Sequence, residues 1–354
     1  MTAGRHGKWS SAIAMASGAL LILPNALAQA PAMRDPIPAQ TARAVVQQTI
    51  QLVESEGLYP RKRDEYASAK ARLLAALDDA GAQVDRQSLW QQVNALLATL
   101  DADGHSSIRA PSSGRRVQQG LANARAQGTA SSFALVLTAH GQVLHWTPPQ
   151  SMGDLQTEAP LFLQRFHADY ATTPGTDKAC ALVIDLSAQL GGNAWPPFIA
   201  MHPLFGPANA AALVARDGAR TAFVKPLQLR EMETLYGGRA DNPLQRFAGA
   251  PLAVFVDQRT SSAGEMLLVA LMGEGPRTRT FGQTSFGATT ANVAHRMADG
   301  SMLALTTSRY AVGDAPVIRG GIAPEVPTRQ GESARETLLH AATWAAQSSP
   351  LCRH

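Results

Sequence analysis

The hydrophobic and polar positions change their spacing about a third of the way along the chain. In the first part, apolar residues recur every three or four positions, which predicts helices over residues 45–53, 64–79 and 89–100. Further on, short apolar runs typical of buried strands alternate with helical patterns, which predicts an α/β core. The predicted strands cover residues 133–137, 143–146, 179–186, 222–225, 252–256, 278–281, 291–296 and 302–307. The predicted helices cover residues 160–170 (with Pro160 as the first helical residue), 196–204, the segment after Ser262, and 334–346.

An export signal and a helical region precede this core. Arg5 and Lys8 are followed by an apolar run over residues 13–23 and by small residues that fit cleavage after Ala28 or Ala30. The run is too short to anchor the chain in a bilayer, so the mature protein is expected to be periplasmic or secreted, without a membrane span. The expected divisions are a signal peptide (1–30), an N-terminal helical region (31–115) and the α/β core (130–350).

The charge and the cysteine count argue against several classes of partner. The 354-residue chain has a formal net charge of +4, which falls to +2 when Arg5 and Lys8 leave with the signal peptide. No long basic block remains, so a nucleic-acid partner is not expected. Neither Cys180 nor Cys352 has a companion at metal-ligand spacing, so no metal or other cofactor is expected. The two could pair in an oxidising compartment, but Cys180 adjoins a predicted buried strand, which favours free thiols.

Ser262 is a candidate nucleophile because of the junction at which it lies. It separates the predicted strand 252–256 from an apolar helical segment, so it stands at the positive end of a helix. An acyl-transfer enzyme would hold its nucleophile and the nearby oxyanion at such a place. A second interpretation is a capping box, in which Ser262 begins the helix and Glu265 reaches back to it. From this segment alone, the capping box is the more common arrangement.

A serine nucleophile needs a base and an oxyanion site, and one candidate for each stands out. His105 follows the third predicted helix, where a surface residue or a helix C-cap is the alternative. Gly191 and Gly192 follow a predicted buried strand, where glycines let the backbone approach a ligand and offer free N–H groups. A plain strand-to-helix turn is the alternative there.

Together these segments resemble one family, the tail-specific or carboxyl-terminal processing serine peptidases, which include the tricorn core. The resemblance covers about residues 40–345, and its motifs occur in the family's order. They are Asp103-Gly104-His105, Asp185-Leu186 with Gly191-Gly192-Asn193, Thr260 to Glu265, Gly282 to Gly287, Asp299 to Thr306, and Gly321 to Glu325. The resemblance implies a crotonase-like or ClpP-like α/β core with an N-terminal helical subdomain. It also implies catalysis by Ser262 with His105 as base, and an oxyanion hole from the Ala263 N–H with Gly191 or Gly192.

The chain departs from the family pattern in ways that bear on the site. Many members carry a lysine base after a Phe-Gly pair, but Ala288 stands at that place, which shifts the base to His105. Ser187 and Gln189 replace an arginine and an asparagine of the oxyanion element. About 24 residues separate residue 109 from residue 133, too few for a PDZ module of roughly 80–100 residues.

The acid that would orient His105 is open at this stage. Glu325 is taken as the third catalytic residue, and Glu265 and Asp103 are the other candidates.

The sequence therefore predicts an exported serine peptidase acting on a peptide or protein substrate. An extended peptide would lie between the helical region and the core, where it could add to a sheet as a strand. An inactive peptide-binding scaffold of the same fold and a serine esterase are the alternatives. The natural substrate and the oligomeric state are left open.

Overall fold

Helices come first in the described chain and a mixed arrangement of strands and helices follows. The structure is a computed structural model that describes residues 35–58, 63–100, 105–109, 132–239 and 241–353. The predicted signal peptide, residues 1–30, lies outside these ranges. Within them, no helix combines the length and the apolar character that crossing a bilayer requires.

The helices and strands are numbered in chain order. The helices are α1 (Ala39–Ser55), α2 (Arg63–Asp78), α3 (Arg86–Leu97), α4 (Leu155–Thr172), α5 (Trp195–Ala200), α6 (Pro226–Leu235), α7 (Ala263–Met272) and α8 (Ala334–Ser348). The strands are β1 (Pro36–Pro38), β2 (Gln83–Asp85), β3 (Ser107–Arg109), β4 (Phe133–Thr138), β5 (Gly141–Trp146), β6 (Ala181–Asp185), β7 (Ala211–Ala215), β8 (Arg220–Ala222), β9 (Leu252–Val256), β10 (Thr278–Gly282), β11 (Thr290–Arg296), β12 (Met302–Val312) and β13 (Val326–Pro327).

Two sheets enclose α7, and the predicted α/β core is confirmed. One sheet has the order β13-β10-β9-β6-β5-β4 and is parallel except for the β4–β5 hairpin. The other has the order β11-β12-β7-β8 and is antiparallel, with β3 also pairing with β12. Helix α7 packs on β9 and β10 from one side and on β7 and β12 from the other. Its leucines 267, 268 and 271 are fully buried, and each contributes roughly 1.5–3 kcal/mol of burial free energy.

The N-terminal helices α1, α2 and α3 share one apolar cluster with the second sheet. Val46 of α1 and Val93 of α3 are fully buried in it, as their helical spacing predicted. Leu303 and Leu305 of β12 complete the cluster from the sheet side. The helices are therefore docked against β12, which is also the partner of β3 and β11.

Several element boundaries differ from the predicted ones. Helix α4 begins at Leu155, because the Asp154 carboxylate caps it by accepting the Thr157 N–H at 2.9 Å, so Pro160 lies inside the helix. The predicted helix 196–204 divides into α5 and a 3₁₀ turn over His202–Leu204. Strand β7 was not predicted, and β8 ends at Ala222, where the predicted strand began.

The two cysteines form a disulfide bridge, so the expectation of free thiols was wrong. Cys180 lies directly before β6 and Cys352 in the 3₁₀ turn after α8, with their Cα atoms 4.9 Å apart. Gly141 leaves room for the bridge, because a Cβ there would lie 2.6 Å from the Cys180 sulfur. The bridge ties the last helix to the middle of the main sheet. Local sequence does not reveal it, since the partners are 172 positions apart.

Replacing Cys352 with alanine is expected to lower the free energy of unfolding by up to about 5 kcal/mol, because the bridge restricts a long loop of the unfolded chain. Urea titration would measure the loss. Dithiothreitol should destabilise the native protein to a similar extent and leave the Cys352→Ala variant unaffected. Equal urea midpoints for the oxidised and reduced native protein would contradict the assignment.

Candidate active site

Ser262 adopts a strained backbone conformation at the junction between β9 and α7. Its φ is 50° and its ψ is −104°, and among the described residues it is the one non-glycine residue with a positive φ. A side chain makes this conformation costly, by about 1–3 kcal/mol, so the surroundings must hold it. Thr260 contributes by donating from its hydroxyl to the Leu186 carbonyl at 3.0 Å. In this turn the Ser262 hydroxyl lies within hydrogen-bonding distance of a histidine side chain.

His105 lies beside this hydroxyl although 157 positions separate the two residues. Its Nε2 is 3.0 Å from Ser262 Oγ, which is within hydrogen-bonding distance. Its Nδ1, on the opposite edge of the ring, makes a short hydrogen bond with Thr290 Oγ1. The candidate base and the candidate nucleophile therefore meet without any domain closure.

Gly191 and Gly192 bring the backbone close to Ser262. Both have a positive φ, 115° and 107°. A Cβ on Gly191 would lie 3.5 Å from the Ser262 Cβ, and a Cβ on Gly192 would collide with the Ser151 carbonyl oxygen. Within the described ranges, the backbone N–H groups of Gly191, Gly192 and Ala263 have no protein acceptor. The two turns beside the candidate nucleophile thus contain three N–H groups without a protein acceptor among the described residues, which makes them candidates for an oxyanion site.

Gln189 holds this glycine turn in place rather than lining a cleft. The residue is almost fully buried, and its side-chain amide donates to the Pro148 carbonyl at 2.5 Å. Its own carbonyl accepts the Ser261 N–H at 2.9 Å, which links the turn to the residue before Ser262. The departure from the family pattern at this position therefore serves the structure of the loop.

Glu265 is buried beneath Ser262 and bonds to three donors. Its carboxylate accepts the Ser262 N–H at 3.0 Å, the Ser285 hydroxyl at 2.6 Å and the Gly287 N–H at 2.7 Å. Burial raises the pKa of this carboxyl, and the hydrogen bonds offset that rise only in part. Glu265 therefore connects the strained turn to the loop 285–287 that flanks it.

The residue at His105 Nδ1 is Thr290, which the sequence had not singled out. The Glu265 carboxylate accepts hydrogen bonds from Ser262, Ser285 and Gly287. Glu325 lies just before β13, where its N–H donates to Thr280 Oγ1 at 2.9 Å. Asp103, the third candidate acid, lies outside the described residues. A hydroxyl thus takes the position at Nδ1 for which the sequence had favoured the Glu325 carboxylate. No local pattern marks Thr290, because its role depends on a contact across 185 positions.

An open cleft of about 700 Å³ lies beside Ser261, the residue that precedes Ser262. Ser261 and Ser285 line it together with Leu190 and Phe286, which expose 54% and 69% of their surface. Exposed side chains of this size are well suited to contact apolar groups of a ligand. Arg259 adds a cation to the lining, with its Nε 3.0 Å from Asp257 Oδ2.

Asp185, at the end of β6, supports the start of the segment that leads to Gly191 and Gly192. Its Oδ1 accepts the Ser187 N–H at 2.9 Å, and its Oδ2 lies 3.0 Å from His145 Nε2. Burial alone would raise the pKa of this carboxyl, but the hydrogen bonds with His145 and Ser187 outweigh burial and lower it. The charged carboxylate is therefore the form that the fold stabilises.

The Asp185→Asn substitution is expected to lower the free energy of unfolding at pH 7 by about 2 kcal/mol, as hydrogen bonds to charged groups contribute roughly 1.5–3 kcal/mol. Because the folded-state pKa is lowered, this contribution is present above the unfolded pKa of about 3.9 and is lost as the pH falls through the folded-state pKa. Urea titrations at pH 7 and near pH 3 should show the difference between native and variant shrinking in acid. An equal difference at both pH values would argue against the charged carboxylate.

Comparisons with known proteins find similarity to a peptidase family. The sequence model of peptidase family S41 matches residues 160–328, which include Ser262 and the Gly191–Gly192 turn. Over 132 residues the chain is 32% identical to a nisin-resistance protein of Lactococcus lactis subsp. lactis. That match covers 36% of this chain and 39% of the relative, so it spans well under half of either protein.

Solved structures share the fold over most of the chain. A lipoprotein from Streptococcus agalactiae has a TM-score of 0.66 at 18% identity, covering 87% of this chain and 96% of that chain. A photosystem II D1 C-terminal processing protease has a TM-score of 0.52 at 13% identity, covering 86% and 97%. The match of the family S41 model over residues 160–328 bears out the resemblance to the carboxyl-terminal processing peptidases, and the solved structures share the fold.

Proposed function

We propose that this chain is an exported serine peptidase that cleaves peptide bonds through an acyl-enzyme on Ser262, with His105 as general base. The observation that carries the proposal is the 3.0 Å separation between His105 Nε2 and Ser262 Oγ. This contact has the geometry that an activated serine needs. The free N–H groups around Ser262 supply the second requirement, a site for the oxyanion.

The proposed reaction has two halves. His105 Nε2 takes the proton from Ser262 Oγ as the oxygen attacks the substrate carbonyl, and the imidazolium then protonates the leaving amine. The Ala263 N–H, with Gly191 or Gly192, binds the oxyanion, and removing one such donor typically lowers turnover by about 100- to 1000-fold. Water, deprotonated by the same histidine, then hydrolyses the ester on Ser262.

The cleft beside Ser262 supports a peptide as the substrate. Its lining includes Ser261, the neighbour of Ser262 in the chain, and the exposed apolar side chains of Leu190 and Phe286, which could contact side chains of a bound peptide. Peptidases of this family act on peptides or proteins, and an extended backbone fits an open cleft better than a compact ligand does.

Three observations support export to the periplasm or beyond the cell. The first thirty residues have the order of a signal peptide. The Cys180–Cys352 bridge is typical of an oxidising compartment. One protein of the same fold is described as a lipoprotein.

The proposal predicts that the mature chain hydrolyses members of a panel of unstructured peptides, followed by mass spectrometry. The Ser262→Ala and His105→Ala variants should lose this activity, because each removes a reacting group. Ser55→Ala, at an exposed position of α1, and His140→Ala on the β4–β5 turn serve as matched controls and should keep it.

A parallel panel of nitrophenyl esters separates the alternatives. Ester turnover without any peptide cleavage would identify an esterase instead. A folded native protein that cleaves neither panel would favour a peptide-binding scaffold, and the peptidase proposal would then fail.

A further inference from the structure

We infer that Thr290 is a positioning residue of the reaction, whose hydroxyl accepts a hydrogen bond from His105 Nδ1–H and keeps the Nε2 lone pair directed at Ser262. The inference rests on the proposed function, because it concerns the histidine that acts as base. Thr290 does not touch the substrate; it acts through the imidazole ring.

The protonation of the ring decides which nitrogen can act as base. A neutral imidazole has one N–H donor and one acceptor nitrogen. To take a proton from Ser262 Oγ, Nε2 must be the acceptor, so Nδ1 must carry the hydrogen. Thr290 Oγ1 is in hydrogen-bonding contact with Nδ1, and Thr290 as a whole is 1% exposed, so little water competes for that hydrogen. In the accepting role that we infer for it, the hydroxyl stabilises the reactive tautomer.

The start of strand β11 places the Thr290 hydroxyl beside His105. Thr290 is its first residue, and the pairing with β12 shifts register between Ala291 and Asn292. A bulge of this kind commonly re-aims a side chain next to an active site. Immediately after it, the Asn292 side-chain amide donates to the His105 carbonyl at 3.1 Å. One short segment thus holds both the ring and the main chain of His105.

Strand β12 fixes this segment from the other side. The Thr306 hydroxyl donates to Asn292 Oδ1 at 2.8 Å, and the Thr306 N–H donates to Ser106 Oγ at 3.0 Å. The residue that follows His105 and the asparagine that binds His105 are therefore held by the same threonine. The imidazole ring of His105 is therefore held by residues that are themselves hydrogen-bonded to neighbouring strands, as precise catalytic geometry requires.

The hydrogen bond at Nδ1 serves both protonation states of the ring. The imidazolium formed during attack also carries a hydrogen on Nδ1, so Thr290 can accept from it throughout the reaction. The ring then need not reorient between taking the proton from Ser262 and giving it to the leaving group.

The test compares Thr290→Val with Thr290→Ser. Valine keeps the shape and removes the acceptor, so the maximal rate of fluorophosphonate labelling should fall by about 10- to 100-fold, part of what a general base contributes. The half-saturating probe concentration should stay unchanged, and Thr290→Ser should restore most of the rate. Nitrogen-15 NMR of the imidazole, assigned with His105→Gln, should show the Nε2–H tautomer gaining population in the valine variant.

Thr289→Val is the matched control, because Thr289 is equally buried and its hydroxyl donates instead to the Gly320 carbonyl at 3.1 Å. It should show a comparable change in thermal stability with native labelling and a native tautomer. A folded Thr290→Val variant with both the native rate and the native tautomer would overturn the inference. A tautomer that responds only to Thr290, in a protein that does not label at all, would support the positioning role while the peptidase proposal fails.

Discussion

At Ser262 the chain passes from a buried strand into a buried helix through a backbone conformation that costs about 1–3 kcal/mol for a residue with a side chain. The Glu265 carboxylate stabilises this turn by accepting the Ser262 N–H, and it bonds to the 285–287 loop at the same time. Burial of α7 between two sheets supplies the favourable free energy that keeps the turn in place. The position of the serine hydroxyl therefore depends on the packing of the whole core.

The pairing of the strands places the other candidate site residues close to Ser262. The Gly191–Gly192 turn follows β6, the neighbour of β9 in the parallel sheet, so both strands end at the same edge. Ligand sites of parallel sheets commonly form at that edge. His105 lies on the segment that leads into β3, where Asn292 of β11 binds its carbonyl and β12 pairs with β3. The site thus lies where the two sheets face each other across the start of α7.

The parts of the site that the sequence predicted are those with a local signal. Ser262, His105 and the glycine pair each lie at the end of an element, where hydrophobic spacing stops and a characteristic residue follows. Thr290 and the Cys180–Cys352 bridge have no such signal, since both depend on contacts across more than 150 positions. The start of α4 was misplaced for a different reason: an aspartate cap at residue 154 outweighed the preference of proline for the first helical position.

The most direct measurement is the location of a fluorophosphonate adduct on the mature protein, found by peptide mapping. Ser262 should carry the adduct, and the rate of its formation should rise with pH through the range where a histidine base becomes neutral, about pH 6 to 7. The His105→Ala variant should abolish the reaction although Ser262 is still present. An adduct on another serine, or a Ser262 adduct that forms as fast without His105, would contradict the account.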